Sequence, residues 1–123
     1  MNPKKILVVD DEADLVKTIQ FSLEAEGYKV LVSYNGEDAL NQARKEAPDL
    51  ILLDIMLPKL DGYKVCRLLK FDEQYKNIPI LMLTAKTQEK DKLLGKETGA
   101  DEYVTKPFDM DELMKKVKGY LNK

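Results

Sequence analysis

Short, unbroken apolar runs separated by stretches of helical spacing constrain this chain more than any other feature. The runs are Ile6-Leu7-Val8-Val9, Val30-Leu31-Val32, Leu50-Ile51-Leu52-Leu53 and Ile80-Leu81-Met82-Leu83, with a weaker fifth at Tyr103-Val104. None alternates with polar residues, which is the pattern of parallel strands covered on both faces by helices. Between them, Leu15, Val16, Ile19 and Leu23 form a helical stripe closed by Gly27, a good left-handed stop. Ala39, Leu40 and Ala43 form a second stripe, between Asn35-Gly36 and Pro48, and Val65, Leu68 and Leu69 a third, opened by Asp61-Gly62. Leu93 and Leu94 are nearly alone in a fourth, between Gln88 and Thr98, which Gly99 stops. Leu113, Met114, Val117, Tyr120 and Leu121 form the fifth, with Asp109 as N-cap. The expectation is β-α repeated five times, an α/β fold with a parallel sheet and helices on both faces. The stripes, with Met110 and Met114, are assigned to the core. Without repeats, low-complexity tracts or linkers, residues 1–123 read as a single domain.

Composition removes several function classes. Twenty basic side chains against 22 acidic ones give a net charge of −2, so nothing in bulk charge points to nucleic acid. The lone Cys66 excludes an internal disulfide and any multi-cysteine zinc site, and is expected as an inert, partly buried helix residue. With no histidine, imidazole bases, Ser-His or Cys-His nucleophiles and histidine-ligated metals are all excluded. The first apolar run ends at Asp10 and Asp11, too soon for a signal peptide, and no stretch approaches the ~20 apolar residues that span a bilayer. A cytoplasmic protein without membrane contact is expected.

The polar residues that end the apolar runs carry the chemistry. The first run ends at Asp10-Asp11, the third at Asp54, the fourth at Thr84 and the fifth at Lys106. In an open parallel sheet these positions share the carboxyl edge, where such folds bind ligands. Two carboxylates about 4 Å apart repel by about 4 kcal/mol at an effective dielectric of 20, so gathering three demands a cation. With oxygen donors only, Mg²⁺ or Mn²⁺ fits and zinc does not. A hydroxyl from Thr84 and an ammonium from Lys106 beside such an ion make a phosphoryl-transfer site, with one aspartate as covalent acceptor. Each residue alone has a plainer reading: Asp10 or Asp11 as an N-cap, Asp54 as a loop carboxylate, Lys106-Pro107 as a surface turn. It is their recurrence on successive strand ends that favours a site.

The sequence resembles the receiver domains of two-component response regulators along essentially its whole length. The resemblance is carried by Ile6-Leu7-Val8-Val9-Asp10-Asp11-Glu12, Pro48-Asp49-Leu50-Ile51-Leu52-Leu53-Asp54, Met56-Leu57-Pro58, Asp61-Gly62, Leu83-Thr84-Ala85 and the stretch from Gly99 through Lys106-Pro107-Phe108. It implies a flavodoxin-like (βα)5 fold with strand order 2-1-3-4-5. Asp54 is then the phosphoacceptor, taking its phosphoryl group from a phosphohistidine on a sensor histidine kinase or histidine phosphotransfer protein. Asp11, Asp54 and the Met56 backbone carbonyl would bind Mg²⁺, with Asp10 acting mainly through metal-bound water. Thr84 and Lys106 would hold the phosphoryl oxygens, small Ala85 would leave the pocket open, and Lys106-Pro107 would be cis. Tyr103 would swing inward as Thr84 moves toward the phosphoryl group, switching a face made of the fourth helix, fifth strand and fifth helix. The chain would catalyse only its own phosphorylation and dephosphorylation. It would act as a monomer or a phosphorylation-dependent dimer, on an effector the residues do not name.

Met56 and Lys86 occupy positions that tune lifetime in such domains, and neither can orient an attacking water, so a long-lived phosphoaspartate is expected. The charges Lys90, Asp91, Lys96, Asp109 and Lys115 on the output side suit protein contacts but equally a plain solvated surface. A haloacid-dehalogenase-like phosphohydrolase would need a second aspartate two residues beyond its nucleophile, where this chain has Glu12 after Asp10 and Met56 after Asp54. A flavin-binding module would need a Ser/Thr/Gly-rich phosphate loop after the first strand, where this chain has Asp10-Asp11-Glu12.

Overall fold

A computed structural model describes residues 3–85 and 99–122. Along them run β1 (Lys5–Val9), α1 (Ala13–Ala25), β2 (Lys29–Ser33), α2 (Gly36–Glu46), β3 (Leu50–Asp54), α3 (Gly62–Lys70), β4 (Ile80–Ala85), β5 (Glu102–Lys106) and a C-terminal helix, α4 (Met110–Leu121). All strand pairs are parallel, in the order β2-β1-β3-β4-β5, as the resemblance implies. The helix expected around Leu93 and Leu94 lies outside the described residues, as do Lys86, Lys90, Asp91 and Lys96.

Unbroken apolar runs form strands here because both sheet faces are covered. Successive side chains point to opposite faces, so Ile6, Val8, Leu50, Leu52, Leu81 and Leu83 pack with Val16, Ile19 and Leu23 of α1 and Leu113, Val117 and Leu121 of α4. Their neighbours Leu7, Val9, Ile51, Leu53, Ile80 and Met82 pack with Ala39, Leu40 and Ala43 of α2 and Val65, Cys66 and Leu69 of α3. The helix ends follow local chemistry. Asn35, Asp61 and Asp109 accept hydrogen bonds from the backbone N–H groups of Asp38 (2.8 Å), Lys64 (3.0 Å) and Asp111 (2.8 Å), each such cap being worth about 1 kcal/mol. Gly27 closes α1 at φ 93°, the left-handed geometry a glycine supplies without strain.

One apolar stripe is rotated from expectation. Leu68, assigned to the core with Val65 and Leu69, is 45% exposed, whereas Cys66 is fully rather than partly buried. The helix α3 presents Val65, Cys66 and Leu69 to the sheet, and Leu68 lies on its outer face. At about 100° per residue Val65, Cys66 and Leu69 share one arc of the helix, and Leu68 stands roughly 100° away from its centre.

Candidate functional site

The carboxyl ends of β1 and β3 are neighbours, with Val9 paired to Leu53, so Asp10 and Asp54 emerge side by side. Asp10 and Asp54 are buried and Asp11 is exposed, and one carboxylate oxygen from each can be chosen so that all three lie within 4.8 Å of one another. Among the described residues this is the group of three or more His, Cys, Asp or Glu side chains suited to a metal ion. Its donors are all hard oxygens, the set that suits Mg²⁺ or Mn²⁺.

Among the described residues, the Lys106 ammonium faces the cluster. β5 pairs with β4 so that Ala85 aligns with Lys106, and the Lys106 Nζ lies 2.7 Å from Asp10 Oδ2, 3.6 Å from Asp54 Oδ1 and 3.7 Å from Glu12 Oε1. Its hydrogen bond goes to Asp10, whose other oxygen accepts from the Glu12 N–H at 2.9 Å. Both Asp10 oxygens are thereby engaged by the protein. The following peptide bond, Lys106-Pro107, is cis.

Electrostatics separate the members. Burial pushes the Asp54 carboxyl up, the Asp10 and Asp11 charges add to this, and Lys106 and the Met56 N–H oppose it, leaving the pKa at about 6. Burial pulls Lys106 down, but its hydrogen bond to Asp10 and the charges of Asp54, Asp10 and Glu12 outweigh that and hold it above the ordinary lysine value. The Asp54 charge is thus disfavoured by burial first and by its acidic neighbours second.

The loop after β3 completes the site. Gly62 starts α3 so close to the acceptor strand that a Cβ there would lie 2.2 Å from the Asp54 carbonyl oxygen, and its N–H donates to Ile55 O at 2.9 Å. Asp11, Met56, Leu57, Pro58 and Asp61 line a cleft of about 410 Å³ beside Asp11, and the Met56 residue is 64% exposed. Thr84 is buried at the end of β4, where its hydroxyl donates to Ala85 O at 3.3 Å, and Ala85 is exposed. Tyr103 is half-buried on β5, packed against the cluster under α2 and α3. Every expected site residue thus lies at the carboxyl edge except Tyr103, which sits within β5 opposite Met82.

Two features went unread in the sequence. Ser33, fully buried at the end of β2, accepts the Asp10 N–H on its carbonyl at 3.2 Å. Gly36 donates its N–H to Pro58 O, also at 3.2 Å. Asn35-Gly36 was legible as a helix start, but nothing in the pair signals contact with a loop 22 residues on.

Comparison with known proteins identifies the family and the fold. The family profile of the response regulator receiver domain matches residues 6–118. The alkaline phosphatase synthesis transcriptional regulatory protein PhoP of Bacillus subtilis (strain 168) is 54% identical over 120 residues, covering 98% of this chain and 49% of its own length. The chain therefore spans about half the length of that relative. Among solved structures, the chemotaxis response regulator CheY4 of Vibrio cholerae superposes with a TM-score of 0.89 at 33% identity, covering 97% of this chain and 99% of that one. The BeF3-activated receiver domain of DrrB gives 0.88 at 37% identity, covering 99% and 100%. No described helix is long and apolar enough to cross a membrane.

Proposed function

The chain belongs to the response regulator receiver domain family of two-component systems, and from that premise we propose that Asp54 accepts a phosphoryl group from a phosphohistidine on a sensor histidine kinase or histidine phosphotransfer protein. The observation that carries this reading is the crowding of Asp10, Asp11 and Asp54 within 4.8 Å against, among the described residues, the ammonium of Lys106. Such a cluster has little use in a static fold and an evident one where a cation and a phosphoryl group arrive together. In the transfer, a carboxylate oxygen of Asp54 forms a bond to phosphorus as the phosphorus–nitrogen bond to the partner's imidazole breaks, and the imidazole leaves with the electron pair.

Asp11, Asp54 and the Met56 carbonyl would hold Mg²⁺, with Asp10 one layer behind; bound there, the ion neutralises charge on the phosphoryl oxygens. Lys106 holds those oxygens as a point charge and keeps Asp54 ionised, because its positive charge opposes the upward pull of burial. Thr84 donates its hydroxyl to the phosphoryl group, leaving space for Tyr103 to move inward. The output face then includes β5 and α4, where Glu102 pairs with Lys116 and accepts the Tyr120 hydroxyl at 2.9 Å. Beryllofluoride is a tetrahedral phosphoryl mimic, so the BeF3-activated relative supports activation by a phosphoryl group. The name of the Bacillus relative supports an output in transcription. Residues 1–123 are read as one receiver unit, acting in the cytoplasm. The Met56 thioether beside the acceptor cannot orient water, which favours a long-lived phosphoaspartate.

Incubation with an acyl phosphate and Mg²⁺, followed by intact mass measurement, tests the assignment. Wild type gains one phosphoryl mass and Asp54→Ala gains none. An adduct that persists in Asp54→Ala overturns Asp54 as acceptor, and absence of any adduct in wild type overturns the function.

A further inference from the structure

We infer that the β2–α2 junction, residues 33–36, positions the cation-binding part of the site, with Gly36 as its key positioning residue. The inference rests on the proposed role of the Asp10, Asp11 and Asp54 cluster as a cation site. Four consecutive residues of this junction hold both acidic loops. Ser33 O accepts the Asp10 N–H at 3.2 Å on one side, and the Gly36 N–H donates to Pro58 O at 3.2 Å on the other.

The second contact tolerates no side chain. A Cβ on Gly36 would stand 1.6 Å from the Leu60 carbonyl oxygen, 2.6 Å from its carbonyl carbon and 2.9 Å from its Cβ. Two of these three atoms are backbone, so rotating a side chain cannot relieve the clash. Either the junction or the loop must move.

The junction is the stiffer of the two. The Ser33 hydroxyl, fully buried, donates to Asp38 Oδ2 at 2.6 Å. The Gln42 amide donates to Val32 O and Ser33 Oγ at 2.7 Å each, and to Asp38 Oδ2 at 3.0 Å. Loop displacement is also blocked at its far end, where the Gly62 N–H is bonded to Ile55 O and no room for a Cβ is left between Gly62 and the Asp54 carbonyl. Within the loop, Leu60 N–H donates to Pro58 O at 2.8 Å across Lys59, which holds a positive φ of 69°. The tight turn from Pro58 to Leu60 therefore shifts as a piece, and the shift runs back through Leu57 to Met56, where the cation's carbonyl ligand would be. Gly36 acts on the site without touching it.

The test is the Mg²⁺ affinity of Gly36→Ala, read from amide chemical shifts or tyrosine fluorescence of the folded protein. The expected dissociation constant rises roughly tenfold, in the range seen when groups behind the metal ligands are altered. The rate of phosphorylation by an acyl phosphate recovers at saturating Mg²⁺, as expected for a defect in cation binding rather than in transfer. Gly27→Ala is the control: it places alanine at φ 93° with nothing within 4 Å, so it strains the backbone without pressing on a neighbour. It should lower the melting temperature and leave Mg²⁺ affinity unchanged. Where Gly36→Ala does not fold, Gln42→Ala, which loosens the same junction, should weaken Mg²⁺ in the same direction. Unchanged Mg²⁺ affinity in the folded junction variant, or equal weakening in Gly27→Ala, overturns the inference while leaving the receiver function intact. Failure of wild type to bind Mg²⁺ overturns both.

Discussion

At the amino edge of the sheet, where α3 ends and β4 begins, Lys70 meets Asp101 at 2.7 Å; at the carboxyl edge, Lys106 meets Asp10 at the same distance. The surroundings differ. The Lys70 ammonium has three acceptors for its three hydrogens, Asp101 Oδ2, Lys76 O at 3.0 Å and Ile78 O at 2.8 Å. Asp101 Oδ2 also accepts the Ile80 N–H at 2.8 Å. One positive charge meets one negative charge and the hydrogen bonding is closed. Lys106 instead faces Asp10, Asp54 and Glu12, with Asp11 beside them, an excess of negative charge among the described residues. A neutral closed pair can fasten a loop for the lifetime of the fold, whereas an unbalanced one invites a further cation and stays responsive to it.

The largest expected effect is at the closed pair. Lys70→Met strands Asp101 and two carbonyls, and should cost about 2–3 kcal/mol, toward the lower end for a broken buried pair because Asp101 is one-third exposed. Denaturant titration should show the same loss in Mg²⁺ and in EDTA. Lys106→Met should also lose stability in EDTA, yet recover part of it in Mg²⁺, since an ion that binds only the folded state stabilises by mass action. Equal responses of the two variants to Mg²⁺ would erase the distinction between the edges.

Next comes Asp54→Asn, measured without metal. The folded carboxyl titrates at about 6 against an ordinary 3.8, so the folded state binds the extra proton between those values and stability from this group falls as pH rises through 6. At pH 7 the asparagine variant should therefore be more stable, by about 2–3 kcal/mol for a shift of this size. That advantage should shrink as pH drops below 6 and vanish only well below the ordinary value of 3.8, where the carboxyl is protonated in both states. A constant difference from pH 4 to 8 would mean that the cluster is not under charge strain. Glu12→Gln should change least: Glu12 is two-thirds exposed and 3.7 Å from Lys106, and exposed pairs contribute roughly 0–1 kcal/mol.

Much of this was legible in the sequence because continuous apolar runs ending on Asp, Thr and Lys report strand, burial and edge together. The runs at Ile6, Leu50 and Ile80 gave β1, β3 and β4, and their terminal residues gave the acidic cluster and Thr84. The rotation of α3 was not legible, because Leu68 and Leu69 offer two overlapping stripes and only packing against the sheet chooses between them. Phe71, 68% exposed with the Arg67 guanidinium 5.9 Å from its ring centroid, lies near Leu68 on the outer surface, on the side opposite the one chosen for the core. That Lys106 bonds to Asp10 rather than Asp54 depends on atomic distances no spacing rule supplies. The Gly36 contact with Leu60 was hidden for the same reason, since close backbone approach leaves no mark beyond the glycine itself.

The alternation of strand side chains between two separate apolar clusters makes the sheet a partition as well as a scaffold. Neighbouring residues such as Leu7 and Val8 report on different halves of the molecule, one on the layer of α2 and α3, the other on that of α1 and α4. Small displacements of the strand backbone at Asp54 would therefore be felt in both layers at once, since each strand carries side chains into both.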